Sequence, residues 1–253
     1  MSLNYEDLPG VNKSTLWELR KSPLHYWHLM NDTPKEDTKA MKFGRAVHAW
    51  LLQQETFFET FSVAPDCDRR TKEGKAIWSM LTESGKEIVS REDMDIIQAM
   101  DDVFGPTCDK LLAGAETEVP LVWTDSSTGV KCKSRLDAIT KDYVIDYKTT
   151  TDAGTNAFRR EALKYGYDLQ AAMYMNAARA NGYNPKGFIF IAQEKTAPYL
   201  INILHAGEAF LDRGAWIMRD LLAKYKECRD SGNWPGYGEN ELILNEWEVI
   251  SDE

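Results

Sequence analysis

The sequence of 253 residues predicts an α/β fold, with a mixed β-sheet core flanked by helices and a helical N-terminal region. Three observations support this class. Helical periodicity dominates the first 112 positions, three segments after position 115 alternate or run apolar with β-branched residues, and a helix, two strands and a long helix follow. This order implies a mixed sheet with helices packed on it, and not an all-parallel one.

The N-terminal helices are predicted from their caps and apolar faces. Asn12 or Ser14 can cap "NKSTLWELRKS", and Ser22 precedes a proline at the first helical position of "SPLHYWHLM". Helical spacing also favours "KAMKFGRAVHAWLLQQ", "GKAIWSMLTESGK" and "SREDMDIIQAMDDVF", the last with a start like a capping box. The basic segment "APDCDRRTKEGK" is predicted to be an irregular loop.

The sheet is predicted from five segments. "TEVPLVWTD", "GVKCKSRLDAI" and "YVIDYKTT" form three strands joined by short turns, and "KGFIFIAQE" and "PYLINIL" form two more. Helices are expected at "GYDLQAAMYMNAARANG" and "GEAFLDRGAWIMRDLLAKYKECRDSG". We interpret the chain as one domain, 1–253, with a helical part (1–112), a sheet core with its C-terminal helix (113–232) and an acidic tail (233–253).

Composition excludes several classes of protein. Hydrophobic content is 43% and charged content 28%, as in globular proteins, and no apolar run is long enough for a membrane span. The first residues lack the pattern of a secretory signal, so we expect a cytoplasmic protein of a bacterium or a phage-infected cell. The net charge of −10 argues against nucleic acid when taken alone, although a local basic groove or metal-bound carboxylates remain compatible with it.

The second and third predicted strands bring two acids and a lysine together. Counting outward from a two-residue turn at 141–142 places Asp137 opposite Asp146, with Cβ atoms about 4.5–5.5 Å apart. Lys148 points to the same side of the sheet. Opposed like charges are destabilising unless something neutralises them, and Mg²⁺ would do so. Lys148 could then hold or activate an attacking water. The alternative is a pair of exposed acids beside an edge lysine.

These residues carry a resemblance to a known family. Asp137 followed by "DYK" at 146–148 resembles the PD-(D/E)xK nuclease signature in its RecB-like branch. "GRAVHAW" resembles the GxxxH motif of that branch, "YDLQAAMY" its QxxxY element, and "STLWELRKSPLHYW" its opening. "EVPLVWTDSSTGVKCKSRLD" is most similar to the RecE-type exonucleases (exonuclease VIII) of phages and prophages. The likeness extends over roughly 16–234 and implies a restriction-endonuclease-like fold.

The resemblance implies a metal site and a catalytic lysine. His48, through its neutral imidazole, would bind Mg²⁺ together with Asp137, Asp146 and the main-chain carbonyl of Tyr147, and Mn²⁺ could replace Mg²⁺. Lys148 would be the catalytic lysine. A lone histidine on a helix is otherwise usually a satisfied surface or core group. The cysteine pattern of cluster-containing relatives is absent, so no iron–sulfur cluster is expected.

Further site residues have a functional and a plain interpretation. Glu118 resembles an acid that binds a second metal or its water, or it is a surface acid. Gln170 and Tyr174 share a helix face and would orient the lysine and contact DNA, or they form a polar patch. Lys133 and Arg135 alternate with the acid at 137, so they would contact phosphates or pair with nearby charges.

Two basic clusters are weaker candidates for contacts with the DNA backbone. They contain Arg69 and Arg70 in the predicted loop, and Arg159 and Arg160 after the third strand of the core. The alternative is that both are solvated charged faces.

The function implied by the resemblance is Mg²⁺-dependent exonuclease digestion of double-stranded DNA from its ends. The family further implies processive 5′→3′ digestion, a ring-shaped homo-oligomer and a companion single-strand annealing recombinase. Two alternatives stay open: a RecB-like or CRISPR-associated single-strand nuclease of other polarity, and a non-catalytic DNA-binding module with the same fold.

Overall fold

The computed structural model describes residues 5–32 and 37–243. Its helices are α1 Lys13–Leu19, α2 Pro23–Asn31, α3 Lys39–Leu52, α4 Phe57–Thr60, α5 Lys72–Glu83, α6 Arg91–Leu112, α7 Thr155–Tyr165, α8 Tyr167–Ala180 and α9 Glu208–Ser231. Its strands are β1 Phe61–Val63, β2 Glu87–Val89, β3 Glu116–Thr124, β4 Lys131–Ile139, β5 Tyr143–Thr150, β6 Gly187–Glu194 and β7 Ile201–His205. Among the helices of the described residues, none combines the length and the hydrophobicity that a membrane-spanning segment needs.

The main sheet has the strand order β3-β4-β5-β6-β7 and is mixed, as predicted. β5 and β6 are parallel, and the other neighbouring pairs are antiparallel. The five predicted strands are confirmed, and the fold class with them. Sequence patterns did not indicate the small parallel sheet formed by β1 and β2, or helix α7, whose apolar face is narrow.

The sheet separates two hydrophobic cores. Successive residues of β6 point to opposite faces, as the pleat requires. Phe188 and Phe190 pack under α1, α2, α7, α8 and α9, whereas Ile189 and Ile191 pack under α3, α4 and α6. The site described below lies where both layers meet the sheet.

Side-chain caps fix where the N-terminal helices begin. Asn12 accepts from the N–H of Thr15 at 3.0 Å, and Ser22 caps α2 ahead of Pro23, both as predicted. Ser90 accepts from the N–H of Asp93 at 3.0 Å, which begins α6.

Three segments differ from the sequence-based expectations. The segment predicted as an irregular loop already contains the start of α5, because the Thr71 hydroxyl caps that helix. Helix α6 continues past Pro106 to Leu112. Of the predicted acidic tail, 233–243 have no regular secondary structure, and 244–253 lie outside the described residues.

The hairpin of β4 and β5 has the predicted register and then opens. The turn closes with the N–H of Thr140 donating to Tyr143 at 2.9 Å, and Ile139 pairs with Val144. The ladder between these two fully described strands ends at the next pair, Ala138 with Ile145. β5 then pairs with β6 alone along the rest of its length, which leaves a gap beside β4.

Helices α8 and α9 approach closely at Gly214. A Cβ atom added there would overlap the main-chain carbonyl of Asp168. We therefore expect Gly214→Ala to destabilise the protein by about 1–3 kcal/mol through overpacking, although alanine normally stabilises a helix interior relative to glycine. For a chain of this size, the melting temperature should fall by roughly 2–4 °C per kcal/mol.

The control is Gly207→Ala, just before the same helix, where an added Cβ meets open space. Thermal unfolding followed by circular dichroism measures both variants. A melting temperature of Gly214→Ala equal to or above that of the wild type would contradict this packing argument.

Candidate active site

A cavity of about 820 Å³ opens beside the gap between β4 and β5. Its walls come from the N-terminal segment, α1, α3, β3, β4, β5 and α8. The predicted site residues that line it are His48, Glu118, Lys133, Arg135, Asp137, Tyr147, Lys148, Gln170 and Tyr174. Asp146 is fully buried next to this wall. The topology thus gathers side chains from distant parts of the sequence.

A histidine and two carboxylates form a compact group in this cavity. His48 Nε2 lies 3.2 Å from Asp137 Oδ2, and His48 Nδ1 lies 3.4 Å from Glu118 Oε1. One ligand atom from each of the three residues lies within 4.8 Å of the others. His48 Nε2 is also 3.0 Å from the main-chain oxygen of Tyr147.

The opened hairpin positions the first acid. Beyond the last pair of the β4–β5 ladder, the carboxylate of Asp137 accepts a hydrogen bond from the N–H of Tyr147 at 2.8 Å. This side chain therefore supplies the acceptor that a neighbouring strand would provide in a continuous ladder. The bond fixes the carboxylate between the two strands.

Glu118 has an unusual backbone conformation for its residue type. Its φ of 50° lies in the left-handed region, which costs a non-glycine residue roughly 1–2 kcal/mol. The β3–β4 ladder pairs Thr117 with Ala138 and Val119 with Leu136, so Glu118 sits across from Asp137 at a distorted point. Strain of this kind concentrates at functional sites.

The second acid is buried and held by different partners. Gln170 donates to Asp146 Oδ1 at 2.7 Å and lies 3.0 Å from the hydroxyl of Tyr174. Lys148 Nζ lies 2.5 Å from Asp146 Oδ2, an ion contact in which the ammonium is not well directed for a hydrogen bond. The predicted neighbourhood of Asp146, Lys148, Gln170 and Tyr174 therefore exists in the structure.

Burial and charge shift the pKa values of these groups in different directions. Burial lowers the pKa of His48, but the carboxylates of Asp137 and Glu118 outweigh this effect and raise it to about 10. Burial raises the pKa of Asp137, but His48 and Lys148 together hold it below its usual range. Burial dominates at Asp146 and raises its pKa to about 7.

Lys133 and Arg135 of β4 line the cavity but already have partners. Lys133 Nζ donates to the main-chain oxygens of Tyr5 and Glu6 at 3.2 and 3.1 Å. Arg135 Nε lies 2.9 Å from Glu118 Oε2, and its side chain is 50% exposed. Both cations also lie over the Tyr5 ring. The contact of Lys133 with the N-terminal segment was not predicted.

The other two basic clusters lie away from the cavity. Arg69 packs over the ring of Trp78, and Arg70 pairs with Asp68 on an exposed loop. Arg159 and Arg160 are exposed on α7. None of these four arginines lines the cavity, so their role in DNA binding stays a prediction.

The donor set fits a divalent cation. Carboxylate and carbonyl oxygens with one imidazole suit Mg²⁺ or Mn²⁺. His48, Glu118, Asp137 and the Tyr147 carbonyl would hold such an ion. Asp146 is outside the compact group, and its buried Oδ2 atom lies against the ammonium of Lys148. Its role as a ligand stays a prediction.

Sequence patterns did not single out Tyr5, Lys13 and Tyr167, which also line the cavity. Lys13 and Lys148 both lie over the Tyr167 ring. No local pattern identifies Lys13, because its relevant neighbours are about 135–155 positions further along the chain.

The sheet topology and the acid–acid–lysine arrangement define a PD-(D/E)xK-like protein. The chain belongs to the family described as "PDDEXK-like domain of unknown function (DUF3799)", which matches residues 13–245.

One solved structure shows the same fold, and a second is only a weaker match. A "Putative exonuclease" from Eubacterium rectale is similar at a TM-score of 0.65 and 14% identity, over 96% of this chain and 97% of that one. A phage related exonuclease from Haemophilus somnus 129PT matches at a TM-score of 0.36 and 14% identity, over 89% of this chain and 97% of its own. No curated protein gives a significant match.

Metal affinity should rise with pH. A pKa of about 10 means that His48 carries a proton at neutral pH, and a metal that uses its ring nitrogen must displace that proton. The affinity for Mn²⁺ should therefore increase by up to about tenfold per pH unit between pH 7 and 9. Calorimetric titrations in buffers of different ionisation enthalpy measure both the affinity and the released proton.

His48→Gln should remove this dependence on pH. His28→Gln is the matched control, because His28 is exposed on α2, does not line the cavity and pairs with Asp32 at the end of the same helix. An affinity of the wild type that stays constant from pH 7 to 9 would show that the His48 proton is not displaced.

Proposed function

We propose that this protein is a Mg²⁺-dependent exodeoxyribonuclease that digests double-stranded DNA from its ends. The observation that carries the proposal is the group of His48, Glu118 and Asp137 within 4.8 Å, beside the ion pair of Lys148 and Asp146, in one cavity of a PD-(D/E)xK-like fold. A binding module has no evident need for three acids gathered around a histidine and a lysine, because such a cluster is costly without an ion or a reaction to use it.

The residues around the scissile phosphate would have different roles in the reaction. A divalent cation held by His48, Glu118 and Asp137 would supply charge stabilisation to the phosphate and would lower the pKa of a bound water. The side chain of Lys148 lines the cavity and is 17% exposed, and its ammonium can donate to the attacking water or to a phosphate oxygen. Gln170 positions this pair, because it fixes the Asp146 carboxylate that contacts the lysine.

The finer features of the proposal are supported by the resemblance of the motifs to RecE-type exonucleases. They are processive 5′→3′ digestion, a ring-shaped homo-oligomer around DNA, a companion single-strand annealing recombinase and a cytoplasmic location. A ring with an acidic exterior and the cavity cations turned inward would reconcile the net charge of −10 with a DNA substrate.

Digestion of linear duplex tests the polarity and the metal together. With Mg²⁺, a label at the 5′ end should be released as mononucleotides before a label at the 3′ end, and EDTA should abolish release of both. Earlier release of the 3′ label, or digestion of single strands alone, would favour the RecB-like or CRISPR-associated alternative. Release that is indifferent to EDTA would contradict the metal-dependent mechanism.

Asp146→Asn separates an enzyme from a binding module. Replacing the buried carboxylate removes the partner of Lys148, and we expect the rate of digestion to fall at least about a hundredfold while duplex binding is retained. Asp142→Asn is the control on the same hairpin, since Asp142 pairs with Lys186 and does not line the cavity. If the wild type bound duplex DNA without digesting it, the alternative of a non-catalytic DNA-binding module would be the one supported.

A further inference from the structure

Two lysines share one aromatic ring in the cavity. Lys148 Nζ lies 5.0 Å and Lys13 Nζ 5.7 Å from the centroid of the Tyr167 ring. Lys13 Nζ also lies 5.7 Å from the Trp17 ring and donates to the main-chain oxygen of Tyr165 at 2.6 Å. The ammonium of Lys13 is therefore held in place beside the lysine of the proposed reaction.

The contacts of Lys13 hold its ammonium group in place without neutralising the positive charge. Within the described part of the chain, no carboxylate forms an ion pair with Lys13. The two acids that act on it electrostatically, Asp146 and Asp168, pair with Lys148 and Arg213. Burial, followed by the nearby charge of Lys148, lowers the pKa of Lys13 to about 8. An anion that entered the cavity would relieve this repulsion.

A purely structural role explains these contacts less well. Packing against Trp17 and Tyr167 needs only an apolar side chain, and a tether to Tyr165 needs only a neutral donor. Neither requires a cation that burial and Lys148 both disfavour. A fixed ammonium in a cavity is instead the arrangement expected for binding a phosphate, because little side-chain entropy remains to be lost.

We propose that Lys13 is a second phosphate-binding residue of the active site, which holds a backbone phosphate of the nucleic-acid strand next to the one contacted by Lys148. This inference rests on the proposed nuclease function, and it adds a residue from helix α1 to the substrate-binding surface. Its contribution should appear in substrate binding and only weakly in the chemical step.

The test compares Lys13→Met and Lys13→Gln with the wild type, using the full chain. Gln keeps a donor for the Tyr165 carbonyl but removes the charge. Lys21→Met is the matched control, because Lys21 is exposed next to α1 and pairs with Glu18. Fluorescence anisotropy with a duplex oligonucleotide in EDTA gives Kd at several salt concentrations, and digestion in Mg²⁺ gives KM and kcat.

Both Lys13 variants should raise Kd and KM about tenfold or more, with a smaller change in kcat. The slope of log Kd against log salt should decrease by about one unit, as for one lost phosphate contact. Lys21→Met should behave like the wild type. Thermal unfolding shows whether each variant is folded. If Lys13→Met fails to fold, the Kd, KM and salt slope of Lys13→Gln decide whether the inference holds.

If a folded Lys13 variant had the same Kd, KM and salt slope as the wild type, the inference would be overturned. The proposed nuclease function would not be affected by that result. A fall in kcat with KM unchanged would overturn the inference as well. A wild-type protein that neither binds nor digests DNA would instead refute the proposed function, and the inference with it.

Discussion

The early separation of β4 from β5 is the constraint on which the site depends. A strand that leaves its partner exposes N–H and C=O groups that need new acceptors and donors. The carboxylate of Asp137 accepts a hydrogen bond from the N–H of Tyr147, and the carbonyl of Tyr147 faces His48. The opened hairpin therefore fixes an acid, a main-chain oxygen and an imidazole together, and it leaves room for a cavity where a strand ladder would otherwise continue.

The charges in this gap depend on one another. Burying a carboxylate is unfavourable unless a cation or a hydrogen-bond donor compensates for it. His48 and Arg135 compensate Glu118, and Gln170 and Lys148 compensate Asp146. Of the second set, Gln170 lies on α8, which Gly214 lets α9 approach closely. The packing of α8 against α9 therefore helps to place the amide that holds the buried acid.

Much of this arrangement could be predicted locally, and the rest could not. The register of the hairpin follows from its two-residue turn, and the pleat then puts Asp146 and Lys148 on one side. The proximity of His48 and Glu118 was implied only by the resemblance of the motifs, because a helix and a strand about 70 positions apart share no local pattern. Helix α7 was missed since its sequence has few apolar residues, and the contact of Lys133 with Tyr5 is a tertiary contact without a sequence signal.

The way in which the cavity holds its lysines bears on the acidic net charge of the chain. Lys133 donates to main-chain oxygens of the N-terminal segment, and Lys13 donates to the carbonyl of Tyr165 beside aromatic rings. Carbonyl oxygens and ring faces orient an ammonium but carry no full negative charge to neutralise it. Both cations can therefore contribute positive potential inside the cavity although acids outnumber bases over the whole sequence. Local charge in a confined site, and not the total, decides which ligands a protein attracts.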